Sequence, residues 1–243
     1  MPNKERPEHV LCIERKSLFK QLHSKWRKSL EKKGITFTNA DWDERCKKIS
    51  LFSPRELNTS ALPFSWVLKS EADKTFSKIQ PIPYLIFLTP EGKVLIFERP
   101  PHDEGDERLF GKIAFPGGHI SERKDKDPQD KVFSTIINCI YREFEEETHH
   151  RLPEINHLLV PKGYFYAPVK EVDQMHICLP FVVKLEESSI DLEKMCKDNE
   201  EVEEAKFVTI EELIKLSKEK KEGDFVAETW VRMIANAPKH YLS

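Results

Sequence analysis

Residues 141–148 read YREFEEET, and three of these side chains, Glu143, Glu146 and Glu147, are spaced i, i+3 and i+4. On an α-helix this spacing places the three carboxylates on one face, within about a third of a turn. Neighbouring like charges repel by roughly a few tenths of a kcal/mol per pair, so a divalent cation that neutralises them best explains the pattern. The segment therefore predicts a helix that carries a hard metal ion.

The residues before this helix add a second feature of the site. Phe115-Pro116-Gly117-Gly118 is typical of a turn, and its two glycines let the backbone approach a cation or a phosphate closely. Residues 132–148 are predicted to be helical, because apolar residues form one stripe along them. The stripe consists of Phe133, Ile136, Ile137, Ile140 and Phe144. The carboxylates lie beside it, so one edge of the helix should pack on a sheet while the next opens into a cleft.

The rest of the chain predicts a mixed α/β fold, because apolar runs typical of strands alternate with helical patterns. The predicted strands are residues 9–13, 82–88, 93–99, 109–115, 164–166, 176–185 and 205–208. The other predicted helices are residues 17–30, 210–216 after an N-cap at Thr209, and 226–235. Residues 89–92 read TPEG, which is typical of a hairpin turn. Residues 39–73 are expected to form loops and short elements, and residues 121–131 an exposed loop.

The composition restricts the class of partner and the compartment. A net charge of −3 over 243 residues gives no argument for nucleic acid or an anionic membrane. The five cysteines are scattered and lack C-x-x-C spacing, which suits a reducing cytosol better than disulfides or a zinc site. Residues 1–20 contain no long apolar run, so neither a signal peptide nor a membrane anchor is expected, and the expected location is cytoplasmic.

Histidine and cysteine side chains are candidates for a softer metal site. His119, His149, His150 and His176 include no pair with the spacing of a closed zinc site, so surface or capping roles are expected for them. Cys139 lies within the predicted helix and is expected to be a small core residue rather than a nucleophile.

Several motifs together carry a resemblance to a known family. The core REFEEE at residues 142–147 follows a strand at 94–99 and PGG at 116–118. With this core the chain resembles the Nudix hydrolases, whose box reads G-x5-E-x7-R-E-U-x-E-E-x-G-U, where U is a bulky apolar residue. QPIPY at 80–84, GDERLFGK at 105–112 and GGHI at 117–120 are similar to a poorly characterised Nudix subgroup of predicted phosphoesterases.

The resemblance implies an architecture for the whole chain. It implies an α/β fold with a mixed sheet sandwiched between helices, in a single Nudix-like domain that spans residues 1–243. Residues 1–75 would be an integrated strand-helix extension, packed on a Nudix core at residues 76–243.

Three features depart from the family box. Arg142 lies 24 positions after Gly118 where the box has a separation of 14, so ten residues are inserted. The first box glutamate aligns with Ser134 or with Lys124, depending on the end from which positions are counted, and neither residue is acidic. His149 and His150 replace a glycine and an apolar residue at the helix end, where a histidine can interact favourably with the helix dipole.

The resemblance also implies which residues form the site. The implied ligands of a Mg²⁺ or Mn²⁺ ion are the carboxylates of Glu143, Glu146 and Glu147 and a backbone carbonyl of Gly118. The implied catalytic residues are Glu146, Glu147, Arg142, which would orient the carboxylates, and Glu201. The expected contacts with substrate come from Arg99, Gly117 and Gly118, although Arg99 could instead cap a strand end in solvent.

A further acid from a distal loop usually acts in this family as a ligand or as the general base. Glu201 is the best candidate by its distance from Phe207, and Glu200 is adjacent to it. Glu171 and Asp173, in a polar turn, are the alternatives.

Two functions follow from the resemblance. The first is Mg²⁺-dependent hydrolysis of a pyrophosphate bond in a nucleoside diphosphate linked to another group. The second is a Nudix-fold module that binds a nucleotide and regulates without turnover, which the lost first glutamate and the inserted loop favour. Either way the expected partner is a small, phosphorylated, nucleotide-like molecule, with no nucleic acid or membrane, and a homodimer stays open.

Overall fold

The structure is a computed structural model. It describes residues 7–21, 50–52, 62–101, 109–152, 164–166, 172–184, 186–197, 199–221 and 224–237. The chain divides into two compact units. The first unit takes its described residues from 1–83, 119–139 and 163–179, and the second from 84–118, 140–162 and 180–243.

Strands and helices alternate along the chain, and the predicted mixed α/β class is confirmed. The strands are β1 (His9–Glu14), β2 (Ser50–Phe52), β3 (Phe64–Leu68), β4 (Lys78–Leu88), β5 (Lys93–Glu98), β6 (Ile113–Ala114), β7 (Tyr164–Tyr166), β8 (His176–Lys184), β9 (Glu204–Thr209), β10 (Lys220–Lys221) and β11 (Asp224–Phe225). The helices are α1 (residues 15–21), α2 (Lys69–Ala72), α3 (Glu122–Asp125), α4 (Val132–Thr148), α5 (Leu192–Cys196), α6 (Ile210–Leu216) and α7 (Thr229–Ala235).

Antiparallel pairing organises the first unit. Strand β1 pairs with β3 from His9↔Leu68 to Ile13↔Phe64, and with the start of β4 at Ile13↔Ile79. Strand β7 pairs with β2 and, at Phe165, with β8. The four central side chains of β1 are all buried, which fits a strand covered on both faces rather than one that faces water.

Strand β5 is the centre of the second unit. It pairs with β9 along its whole length, with β6 near its end, and with β4 at Leu88↔Val94. The β4–β5 turn is the predicted hairpin: Gly92 adopts a φ of 81° and its N–H donates to the Thr89 carbonyl over 2.9 Å. Helix α6 begins at Thr209 with the predicted N-cap, completed as a capping box by Glu212.

Helix α4 has the predicted bounds, but its buried stripe is shorter than predicted. Ile136, Ile137, Ile140 and Phe144 are buried, whereas Phe133, in the first turn, is 47% exposed. The buried stripe therefore begins at the second turn of the helix.

Residues 121–131, within the longer segment between Gly118 and Arg142, are not simply an exposed loop, and that prediction is wrong for their first half. They contain α3, and Asp125 is fully buried. Its carboxylate accepts from the Ser121 N–H over 2.7 Å, and its carbonyl accepts from Asn138 of α4 over 3.0 Å. These local hydrogen bonds satisfy the buried acid and give the segment an ordered start.

Two other predicted elements are shorter in the structure. The strand predicted at 109–115 is limited to Ile113–Ala114, and the last helix begins at Thr229 rather than at residue 226. Ile113 explains the later start of the helix, because it exchanges backbone hydrogen bonds with Val226 (2.8 Å) and Glu228 (3.0 Å). Residues 226–228 are therefore extended against the short strand instead of helical.

Some predictions stay untested. The helix predicted at 17–30 is observed only to residue 21, and its remainder and Glu171 lie outside the described residues. The single-domain organisation stays a prediction. No described helix has the length and apolar character that a membrane crossing requires.

Candidate metal and catalytic site

The turn at Gly117 and Gly118 lies directly against the carboxylates of α4, all within the second unit. The Gly117 N–H donates to Glu147 Oε2 over 2.7 Å. A Cβ atom added to Gly118 would lie 2.5 Å from Glu143 Oε1 and 2.8 Å from Glu143 Oε2. A side chain at position 118 would therefore displace the Glu143 carboxylate, which explains in physical terms why glycine stands there.

Glu147 is the most deeply buried of the three glutamates, at 1% exposure. Its Oε1 atom has no hydrogen-bond partner among the described residues, and its nearest cation is Arg99 Nη2 at 3.7 Å. Burial raises the pKa of the Glu147 carboxyl well above its usual range, although Arg99 opposes the shift. A buried carboxylate with an unpaired oxygen is costly, and a bound cation would remove that cost.

Glu143 and Glu146 are joined by one arginine. Arg142 Nη1 lies 2.7 Å from Glu143 Oε1 and 2.7 Å from Glu146 Oε2. Burial raises the pKa of Glu143 to about 7, against the opposing attraction of Arg142 and with a further rise from the charge of Glu146. Glu146 is half-exposed. Arg142 thus holds two of the predicted ligands at fixed positions relative to each other.

Arg99 is buried among three acids rather than capping a strand end in solvent. Its guanidinium lies 2.8 Å from Glu228, 3.7 Å from Glu147 and 3.8 Å from Glu201. Burial disfavours its charged form, but Glu228 and Glu147 together raise its pKa, so Arg99 stays protonated. Tyr84 donates its hydroxyl to the other oxygen of Glu228 over 2.7 Å.

Glu201 is the predicted distal acid that the structure brings to this cluster. Its side chain is 47% exposed and faces Arg99. Asn199 connects the loop that carries Glu201 to the end of α4. The Asn199 amide donates to the Glu147 carbonyl over 2.8 Å, and Asn199 Oδ1 accepts from the Glu201 N–H over 3.0 Å. Glu200 is exposed, and the side chain of Asp173 lies outside the described residues.

Three contributors were not found from the sequence: Glu228, Tyr84 and Asn199. Glu228 sits at the N-terminus of α7, where a negative charge is favourable, and its burial at 5% exposure depends on partners 129 and 144 residues away. Tyr84 lies within an apolar run that predicts only a buried strand. No local sequence signal identifies any of them.

The helix ends at two histidines with capping roles. His149 has a φ of 57°, in the left-handed region that favours glycine, and its N–H donates to the Glu145 carbonyl over 3.0 Å. His150 Nδ1 lies 2.5 Å from the Thr148 carbonyl, and His150 Nε2 accepts from the Asp191 N–H over 3.0 Å. Cys139 is fully buried, as predicted for a core residue.

Known proteins share a family model and a fold with this chain. The family model described as the NUDIX domain matches residues 80–229. No curated protein sequence matches the chain. The structure of Tm1382, a candidate Nudix hydrolase, has a TM-score of 0.59 at 18% identity and covers 94% of this chain and 96% of its own, which shows a shared fold.

Two further solved structures are more distantly similar. A MutT/Nudix family protein from Listeria innocua has a TM-score of 0.40 at 23% identity, covering 56% of this chain and 82% of its own. The NUDIX domain of Shewanella oneidensis NrtR, solved with ADP ribose, has a TM-score of 0.43 at 13% identity, covering 69% of this chain and 96% of its own.

Proposed function

Because this chain belongs to the Nudix family and is a Nudix-type hydrolase, we propose that it uses Mg²⁺, or Mn²⁺, to cleave a pyrophosphate bond in a nucleoside diphosphate linked to another group. The observation that carries the proposal is the buried Glu147 carboxylate, whose Oε1 lacks a hydrogen-bond partner among the described residues and lies within reach of Arg99. An acid in this state suits a metal ligand better than a structural role.

The donor set fits a hard divalent cation. Glu143, Glu146, Glu147 and the carbonyl of Gly118 would hold it, all through oxygen, which is the donor that Mg²⁺ prefers. When bound, such an ion activates a water and neutralises charge on phosphoryl oxygens. Contacts of Gly117 and of Arg99 with the substrate phosphates stay predictions, since the Gly117 N–H and the Arg99 guanidinium already face carboxylates.

The protein's own residues have separate roles in this proposal. Arg142 keeps Glu143 and Glu146 in position, and Arg99 does the same for Glu147 and Glu201. Glu201 is the candidate general base, because its exposed carboxylate is accessible to water while Arg99 orients it.

The experiment is a hydrolysis assay with a panel of nucleotide sugars, dinucleotides and nucleoside triphosphates, with Mg²⁺ or Mn²⁺. We expect Glu146→Gln/Glu147→Gln to lose at least about a hundredfold in kcat/KM, because it removes two of the ligands. Glu145→Gln is the matched control on the same helix, since Glu145 is half-exposed and pairs with Arg151. Equal inactivity of wild type and both variants across the panel would end the proposal.

The second candidate is a nucleotide-binding regulatory module. The absence of an acid at Ser134 and Lys124 favours it, because the box lacks its first glutamate. A nucleotide that raises the melting temperature only with metal, and is recovered chemically unchanged, would support this function over hydrolysis. A cytoplasmic location, the absence of a nucleic-acid partner and a homodimer stay predictions.

A further inference from the structure

A second group of metal-binding side chains lies in the first unit, separate from the carboxylates of α4. Asp73, His119 and His176 each offer one ligand atom, and these three atoms lie within 4.8 Å of one another. The Nε2 atoms of the two histidines are 3.3 Å apart. The sequence does not predict this group, because its members are 46 and 57 positions apart.

The three residues come from separate elements of the first unit. Asp73 is the C-cap of α2, His119 precedes the inserted segment, and His176 is the first residue of β8. Asp73 is exposed, whereas both histidines are half-buried. The side chains therefore converge at a position that an ion from solvent can reach.

A buried glutamine orients the carboxylate of this group. Gln80, in β4, is 1% exposed, and its Nε2 donates to Asp73 Oδ1 over 2.9 Å. Its Oε1 atom is buried without a hydrogen-bond partner among the described residues, so Gln80 is a costly residue in an otherwise apolar strand. The hydrogen bond to Asp73 explains why Gln80 is there, because buried residues that hydrogen-bond to a metal ligand commonly orient it.

The spacing of the two histidines fits coordination to one ion. Zinc–nitrogen bonds of about 2.05 Å at the tetrahedral angle separate two ligand atoms by about 3.3 Å. The observed Nε2–Nε2 distance is 3.3 Å. Asp73 would complete a set of two imidazoles and one carboxylate, since its ligand atom lies within 4.8 Å of both histidine ligand atoms.

We propose that Asp73, His119 and His176 bind a divalent transition-metal ion of the zinc, cobalt and nickel class. Imidazole nitrogen suits these ions, whereas Mg²⁺ prefers oxygen donors. The chain would then carry two sites with different selectivity, an all-oxygen site on α4 and a nitrogen-containing site in the first unit. Three protein ligands leave a coordination position for water.

A plain histidine–histidine contact is the competing explanation. The two rings are arranged edge to face, with centroids 5.4 Å apart and planes at 70°, and a single shared hydrogen would account for the 3.3 Å distance. That contact does not require Asp73. Removing the Asp73 carboxylate therefore separates the two explanations.

The test is a Co²⁺ titration of the full chain, followed by visible ligand-field absorption and by calorimetry. We expect Asp73→Asn and His176→Gln to weaken Co²⁺ binding about tenfold or more. The matched control is His9→Gln, which removes a half-exposed histidine elsewhere in the first unit and should leave binding unchanged. Zn²⁺ should displace the Co²⁺, and excess Mg²⁺ should not.

Two further measurements keep the result interpretable. Asn at position 73 retains an oxygen that can accept from Gln80, so Asp73→Asn should fold, and Zn²⁺ should raise the melting temperature of wild type by more than that of this variant. Glu146→Gln/Glu147→Gln should keep the Co²⁺ absorption. The proposal is overturned if wild type binds no Co²⁺, if Asp73→Asn binds it as tightly as wild type, or if only the α4 variant loses it.

Discussion

Glu143 and Glu147 place two buried acids beside each other, which destabilises the protein when no cation is present. The pKa of Glu143 is raised to about 7, so between pH 4.5 and 7 the folded chain holds a proton that the unfolded chain has released. The contribution of Glu143 to stability is therefore lost as the pH rises through this window. With metal bound, this loss of stability with rising pH is reversed, because the ion favours the ionised carboxylate.

The destabilisation by the ionised Glu143 carboxylate predicts the effect of Glu143→Gln on the metal-free protein. With a chelator at about pH 8, the variant should be more stable than wild type by about 1–3 kcal/mol, because the amide carries no charge. Well below pH 4.5 the two proteins should be about equally stable, since Glu143 is then neutral in both the folded and the unfolded chain. Urea unfolding at both pH values measures the difference, and a variant that is less stable at pH 8 would contradict the account.

Glu228 bonds the guanidinium of Arg99 over 2.8 Å, so its replacement should affect stability. Glu228→Gln removes the closest charged partner of the buried Arg99, so unfolding should become easier by about 2–4 kcal/mol. Glu200→Gln, on an exposed side chain, should change stability by less than about 0.5 kcal/mol. Thermal or chemical unfolding of both variants tests this, and equal stability of the two would argue against a structural role for Glu228.

The turn before α4 positions the carboxylates. Gly118→Ala should lower Mg²⁺ affinity about tenfold or more while the chain still folds, because the new methyl group displaces the Glu143 carboxylate. Gly92→Ala is the control, and it should change stability rather than Mg²⁺ affinity. Its φ of 81° strains any other residue, so stability should fall by about 1 kcal/mol while Mg²⁺ affinity is kept. Calorimetry measures the Mg²⁺ affinity of both variants, and unfolding measures their stability. Unchanged Mg²⁺ affinity of Gly118→Ala would contradict the prediction.

The end of α4 carries strain that the family glycine would relieve. His149 adopts a φ of 57°, so His149→Gly should stabilise the protein by about 0.5–1 kcal/mol. His150→Gly should destabilise it, because the imidazole of His150 bonds both the Thr148 carbonyl and the Asp191 N–H. A fall in melting temperature for His149→Gly would show that its side chain contributes more than its backbone conformation costs.

At the scale of the whole molecule, local patterns were predictable and distant partners were not. The bounds of α4, the Thr89–Gly92 turn and the cap at Thr209 follow from periodicity and turn chemistry, which act over a few residues. The contact between Glu228 and Arg99 joins residues more than a hundred positions apart, and a single sequence gives no signal of such a contact. His119 and His176, which are 57 positions apart, likewise give no local signal of their contact.

The sequence also predicts the wrong solvent exposure for two residues, Asp125 and Phe133. The sequence predicts an exposed loop around Asp125 because charged residues surround it, yet Asp125 is buried and its carboxylate accepts a hydrogen bond from the Ser121 N–H. Phe133 was expected in the core because it continues an apolar stripe, yet it is exposed. Burial depends on what packs against a position, and periodicity describes only the face on which the position lies.

Phosphorus NMR of a nucleotide sugar incubated with the full chain tests whether the α4 carboxylates support metal-dependent turnover. With Mg²⁺ present, we predict that the diphosphate resonances are replaced by those of two phosphate monoesters, and that a chelator or Glu146→Gln/Glu147→Gln prevents the change. Diphosphate resonances that shift or broaden on metal-dependent binding but remain undiminished, across nucleotide sugars, dinucleotides and triphosphates, would contradict hydrolysis and favour the regulatory module.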